Sequence, residues 1–201
     1  MPLHTVPAPA PALQAVLAAL NSPSATRGAP TLHNSPGPVT TTLAHPVHVL
    51  DVPDEAVGSR CALTSTRCTG WRFLINAGET PIASAETVRT PDGWAFSHFS
   101  QGPFVTSTHL AMRQAHTLPT RYQPRLLSVP GLYMLALWLH NDSSADSAND
   151  LLIPLAPAPL GIPAHHPHKA TELLSALTRR LTHRITPSPA VLTTTALTST
   201  A

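Results

Sequence analysis

Charge, lysine and aromatic side chains are scarce in this 201-residue chain, and each shortage removes a class of protein. Charged residues make up 11%, the formal net charge is +2, and Lys169 is the single lysine beside eleven arginines. Proteins that grip nucleic acid by releasing counterions gather many cations on one surface, so nucleic acid is not an expected partner. The two cysteines, Cys61 and Cys68, are too few for a disulfide scaffold. They close a small ring only if the chain is exported, and a structural zinc through them has to recruit distant histidines. No apolar run approaches the ~18 residues of a membrane span. No Lys or Arg precedes the apolar patch Leu13–Leu20, where a signal peptide carries its charged start. A cytoplasmic protein with no membrane partner is expected. Also missing are a Gly-rich phosphate loop, a Gly-x-Ser-x-Gly elbow and a His-Glu-x-x-His pair, and no cofactor is expected.

What the chain does have is 42% hydrophobic residues, enough for one core, and 23 prolines gathered toward its ends. Abundant Ala, Pro and Thr with one lysine fit the codon bias of a high-GC bacterial genome, and a bacterial source is expected. The centre of the pattern is Leu132–Leu139, an unbroken apolar run between Pro130-Gly131 and Asn141-Asp142. Its length and flanks favour a strand buried on both faces. Alternation sends Leu132, Met134, Ala136 and Trp138 to one side, and Tyr133, Leu135, Leu137 and Leu139 to the other.

Four regions follow. Residues 1–46 read as a Pro-rich segment with a short amphipathic helix over 11–20, on the stripe Leu13, Val16, Leu17 and Leu20, and then a flexible linker. Residues 47–160 read as an α+β core. A short strand at Val47–Val52 opens it, and Trp71, Phe73 and Ile75 alternate with polar neighbours. Ile82–Arg89 is a weaker strand, and Pro91-Asp92-Gly93 turns into Trp94–Phe99. Gly102 and Pro103 open a helix ending by Pro119, with Phe104, Ala111, Met112, Ala115 and Leu118 facing inward and Thr106, His109, Arg113 and Thr117 outward. Arg125–Val129 and Leu132–Leu139 are further strands, with Leu151–Leu155 as a possible last one. Residues 161–186 read as a second amphipathic helix, on Ala170, Leu173, Leu174, Leu177, Leu181 and Ile185, and 187–201 as a disordered tail. The expected fold is α+β, an antiparallel sheet in the order β-β-β-α-β-β with one central packed helix and amphipathic helices near both termini. The second sheet face then needs a terminal helix, a second copy or a partner to cover it.

Candidate chemistry is sparse. His98 and His140 with Asp142 form a possible acid–base centre, with Ser97, Ser100 or Ser128 as nucleophile. His165, His166 and His168 are the candidate metal ligands, although they lie in a Pro-interrupted loop, and no resident metal is expected. Asp142, Asp146 and Asp150 recur every fourth residue but lack the glycine and distal Glu of a calcium loop. Glu79 and Glu86 lack a defined carboxylate partner. Trp71, Trp94, Tyr133, Trp138, His109, Arg113 and His116 are the candidate ligand or partner surface. The favoured function is a non-enzymatic protein-interaction or assembly module, homodimerisation being one form of it. The alternatives are a small hydrolase or transferase at His98, His140 and Asp142, or a carrier whose Trp71, Trp94, Trp138 and Tyr133 line an apolar pocket.

Overall fold

The computed structural model describes residues 3–35, 37–50, 63–141 and 149–185, with side chains as far as 181. Cys61, Asp142, Asp146 and the tail 187–201 lie outside the described residues. The chain runs α1 (Ala10–Leu20), α2 (Pro23–Thr26), α3 (Pro30–His33), β1 (Val39–Val49), β2 (Arg67–Ala77), β3 (Thr80–Thr90) and β4 (Gly93–Ser100). It continues through α4 (Pro103–Ala115), β5 (Gln123–Val129), β6 (Met134–His140), β7 (Leu151–Pro154), β8 (His168–Lys169) and α5 (Ala170–Ile185). The eight strands form one sheet in the order β4-β3-β2-β1-β5-β6-β7-β8.

The fold is mixed α and β, but the expected purely antiparallel β-β-β-α-β-β order is corrected to four strands, a helix, and four more strands. Val47–Val49 of β1 runs parallel to Leu126–Ser128 of β5, so the sheet is mixed. Strand β1 was expected only from Val47; its first half falls in the segment taken as linker, and the boundary drawn at 46/47 lies inside it. Val39-Thr40-Thr41-Thr42 is β-branched and suits a strand, while the prolines around it read as linker. Pro46 is tolerated because it stands just before the three residues that pair with β5, so that ladder does not call on its missing N–H. Cys68 likewise lies in β2, opposite His48, and not in a loop.

Each half is a four-stranded meander followed by a helix. The strands that join the halves are parallel and the helices α4 and α5 sit on opposite faces, the arrangement a two-fold rotation about an axis along β1 and β5 produces. On one face, Ala111, Met112 and Ala115 of α4 pack on Leu126, Leu137, Leu139 and Ile153, with Phe104 and Leu118 partly buried alongside. On the other, Leu173, Leu174, Leu177 and Leu181 of α5 cover Leu127, Met134, Ala136 and Leu152. The same face in the first half is covered by Ala12 and Val16 of α1 over Trp71, Phe73, Ile75, Ala83 and Ala85. Each fully buried large side chain contributes about 1.5–3 kcal/mol before the entropy of ordering is charged against it. The sheet thus covers both faces with its own helices.

Strand β6 follows the expected alternation from Met134 onward: Met134, Ala136 and Trp138 face α5, and Leu135, Leu137 and Leu139 face α4. Tyr133 is a correction. Pro130–Leu132 is a 3-10 turn that ends with Tyr133 in a left-handed conformation, φ 49°, so its ring leaves the sheet and is 82% exposed. Among the described residues no helix is long and apolar enough to cross a membrane.

Gly70 is the tightest point of the backbone packing, because a Cβ there would lie 1.8 Å from the Thr87 carbonyl oxygen of the neighbouring strand. Gly70→Ala is expected to lower stability by about 3 kcal/mol through forced displacement of β3. Gly28→Ala, where a Cβ meets nothing within 4 Å, serves as the control, and urea denaturation midpoints of the two variants measure the difference.

Candidate functional site

The most connected polar group of the described residues is Asp150, at the mouth of the β6–β7 hairpin. Leu139 pairs with Leu151, so the next residues outward, His140 and Asp150, face each other. The Asp150 carboxylate is fully buried. It accepts hydrogen bonds from the Trp138 indole Nε1–H at 2.7 Å and the Asn141 backbone N–H at 2.8 Å, and it lies 3.0 Å from His140 Nδ1. The contact sets the orientation of the His140 ring and favours the Nδ1–H tautomer. Three donors on a buried carboxylate offset much of its desolvation.

Trp138 carries the network sideways. The His48 ring meets it edge-on at 5.0 Å between centroids, and the Arg125 guanidinium stacks 4.7 Å from its ring while donating to Gln123 Oε1. Burial, then the nearby Arg125 and His140, lowers the His48 pKa to about 4, so its imidazole is neutral at pH 7. Cys68, opposite His48, is a free thiol whose pKa burial pushes up, which is the reverse of what an activated nucleophile needs.

A second polar cluster lies on the α4 face. Arg72 and Glu86, neighbours across β2 and β3, form an ion pair, with His45 of β1 opposite Arg72. His45 is fully buried, donates Nδ1–H to the Leu43 carbonyl at 2.7 Å, and has no partner for Nε2; the Ser84 hydroxyl is likewise buried without one. Burial, then the Arg72 charge, lowers the His45 pKa to about 4.

The structure does not bring His98 and His140 together. His98 lies on the edge strand β4, exposed and 3.0 Å from Ser97 Oγ, while His140 lies on β6. Five strand spacings separate β4 from β6, roughly 24 Å at the usual spacing, and Asp142 is outside the described residues. Among the described residues, the carboxylate that meets His140 is Asp150. Trp71 and Trp94 belong to the cluster under α1, Trp138 to the cluster under α5, and Tyr133 to the surface, so the four share no cavity. Arg113 and His116 are exposed on or just past the outer side of α4, and His109 is half-buried. His165 Nε2 lies 3.2 Å from Ser107 Oγ, His166 Nδ1 3.1 Å from the Ala164 carbonyl, and His168 is in β8. No three His, Cys, Asp or Glu side chains among the described residues lie together in a metal-binding arrangement. Glu86 has Arg72 as its partner.

Sequence reasoning weighed Asp150 only within a calcium-like spacing and passed over His45, His48 and Arg125. For Asp150 the signal was there: a His just after one apolar strand and an Asp just before the next become neighbours once the hairpin closes. The chain matches no known family model, no curated protein and no solved structure.

Asp150→Ala is expected to cost about 3 kcal/mol, because the Trp138 and Asn141 N–H groups lose their buried acceptor; the denaturation midpoint and the Trp138 emission report it. The histidines set a pH dependence. His45 and His48 have folded pKa values of about 4 against 6.5 unfolded, so the unfolded chain binds more protons between these limits. Stability therefore falls as pH drops from 6.5 to 4 and levels off below for these two groups, with His45 alone accounting for roughly 3 kcal/mol. Urea titrations across that window are expected to show a shallower slope for His45→Leu than for the native chain, and equal slopes would remove His45 from the account.

Proposed function

We propose that this chain is a non-enzymatic assembly module that pairs with a second copy of itself along β4. The carrying observation is an edge without charge. Strand β4, Gly-Trp-Ala-Phe-Ser-His-Phe-Ser, contains no Asp, Glu, Lys, Arg or Pro, and none of its residues is buried. Exposed edge strands in monomers are usually guarded by such residues. The one protective device here is a bulge at Ser97, which leaves Gly93–Phe96 regular. At the far edge, β8 is only two residues long and offers little to pair with.

Helix α1 extends the same surface. It packs on β4 and β3 and has no charged residue in its eleven, and Leu17 is exposed on it. In an isologous contact each group meets its own copy or a symmetry-related neighbour, so charges of one sign would repel. An uncharged, aromatic-bearing strip fits that requirement, and interface cores are depleted in charge and enriched in aromatics. Antiparallel pairing of β4 with its copy supplies main-chain hydrogen bonds and brings the two α1 helices alongside. We take the cytoplasm as the compartment, with neither nucleic acid nor membrane as a partner.

Acid–base chemistry at His140 is the alternative, favoured by one observation, the contact that orients its ring on the buried Asp150 carboxylate. It lacks an identified nucleophile, since Ser97 and Ser100 stand strands away on β4, Ser128 pairs with Leu135 toward the other end of β6, and burial favours the thiol form of Cys68.

Light scattering coupled to size exclusion on the full chain is expected to give a dimer mass that falls to a monomer in Ala95→Lys, which sets lysines against each other at the paired edge. A full chain that stays monomeric at all concentrations sinks self-pairing, and a dimer indifferent to Ala95→Lys moves it to another surface.

A further inference from the structure

We propose that the cavity bounded by Thr120, Tyr122, Asn141, Asn149, Leu151 and Lys169 binds a small oxyanion, a carboxylate or phosphate group. The cavity is about 250 Å³ and lies at the end of β6, β7 and β8 on the α4 side of the sheet, the face opposite the Asp150 carboxylate. Three short connections build it. Leu151 pairs with Lys169, which sets the chain's single lysine beside the β7 start. Tyr122 stands just before β5 on the same face as Leu151, and Asn141 just after β6.

Asn141 gives its backbone N–H to Asp150, while four other lining side chains carry polar groups open to a ligand. The Lys169 ammonium, the Tyr122 and Thr120 hydroxyls and the Asn149 amide make no hydrogen bond or ion pair with a described residue. Tyr122 is 7% exposed, so its hydroxyl belongs to a side chain whose ring is already packed in the core, and orienting it adds little entropy cost. An ammonium, two hydroxyls and an amide around one small space can each donate a hydrogen bond, and the charged oxygens of an oxyanion accept them. None of the described residues lining the cavity is Asp or Glu.

The backbone adds to the same sign. Helix α5 starts at Ala170, directly after Lys169, and the positive end of a 16-residue helix favours a neighbouring anion. The Ala170 N–H itself is taken by the Asp150 carbonyl at 2.9 Å, so it is the field of the helix rather than this N–H that contributes. The volume is below the usual range for organic ligands, which suits a small ion or the anionic end of a larger molecule. Leu151 and the Tyr122 ring give the space its apolar wall.

The single lysine makes the test direct, because selective 13Cε-lysine labelling of the full chain yields one resonance. Titration with inorganic phosphate and, separately, acetate at constant chloride-adjusted ionic strength is expected to shift that resonance saturably for at least one anion. Saturation by phosphate alone or by acetate alone assigns the source. Tyr122→Phe is expected to weaken the saturable binding about tenfold while the protein stays folded by circular dichroism. The rise in Tm that the bound anion gives the native chain is expected to vanish in Lys169→Met. A linear drift that matches chloride overturns the proposal, as does saturable binding unchanged in Tyr122→Phe or a Tm rise that survives in Lys169→Met.

Discussion

The two halves of the sheet are joined by one short ladder, in which Val47, His48 and Val49 run parallel to Leu126, Leu127 and Ser128. Parallel strands cannot be linked by a tight turn, so the chain has to leave β4, cross the sheet through α4 and return to enter beside β1. That crossover lays Ala111, Met112 and Ala115 over Leu126 and Leu137, which brings the second half under the helix that ends the first. Everything else in each half is local: hairpins and a meander whose neighbours are close in sequence. The ladder is also where the polar network crosses the sheet, since His48 on β1 meets Trp138 on β6 over the intervening β5.

Much of the fold was legible because its strongest elements carry strong patterns. The alternation of Trp71, Phe73 and Ile75, the helix between Gly102 and Pro119, and the apolar run ending at Leu139 each announce one conformation. Strand β1 did not, because its β-branched start is set among prolines and its Pro46 argues against a central strand. That residue is tolerated only because of where the partner strand begins, which is a property of the register and not of the local sequence. Tyr133 shows the same limit in miniature. Period-two counting placed it inside the strand, and one residue in the left-handed region turned it out to solvent.

The polar groups were harder still. His98 and His140 are alike in kind but stand five strand spacings apart, and sequence distance favoured Asp142 as the partner of His140 over Asp150. Hairpin closure brings in Asp150 as well: ten residues along, it stands directly across from His140 once Leu139 and Leu151 pair. His45 is the opposite case. Nothing in Leu-Ala-His-Pro-Val indicates burial, and its neutral form follows from a position beneath α4 beside the Arg72–Glu86 pair. Polar residues are placed by long-range pairing, so their chemistry becomes readable only after the strand order is known.

The crossover also dictates an order of assembly. Residues 39–100 contain every partner that β2, β3 and β4 need, so this half can zip up while the remainder is still being synthesised. Strand β1 must then wait with one side unpaired until β5, nearly eighty positions further along, reaches it. In the nascent half-sheet β1 is thus a second open margin besides β4, and Val47–Val49 ceases to be a surface once β5 arrives, because the finished protein hides it at its centre.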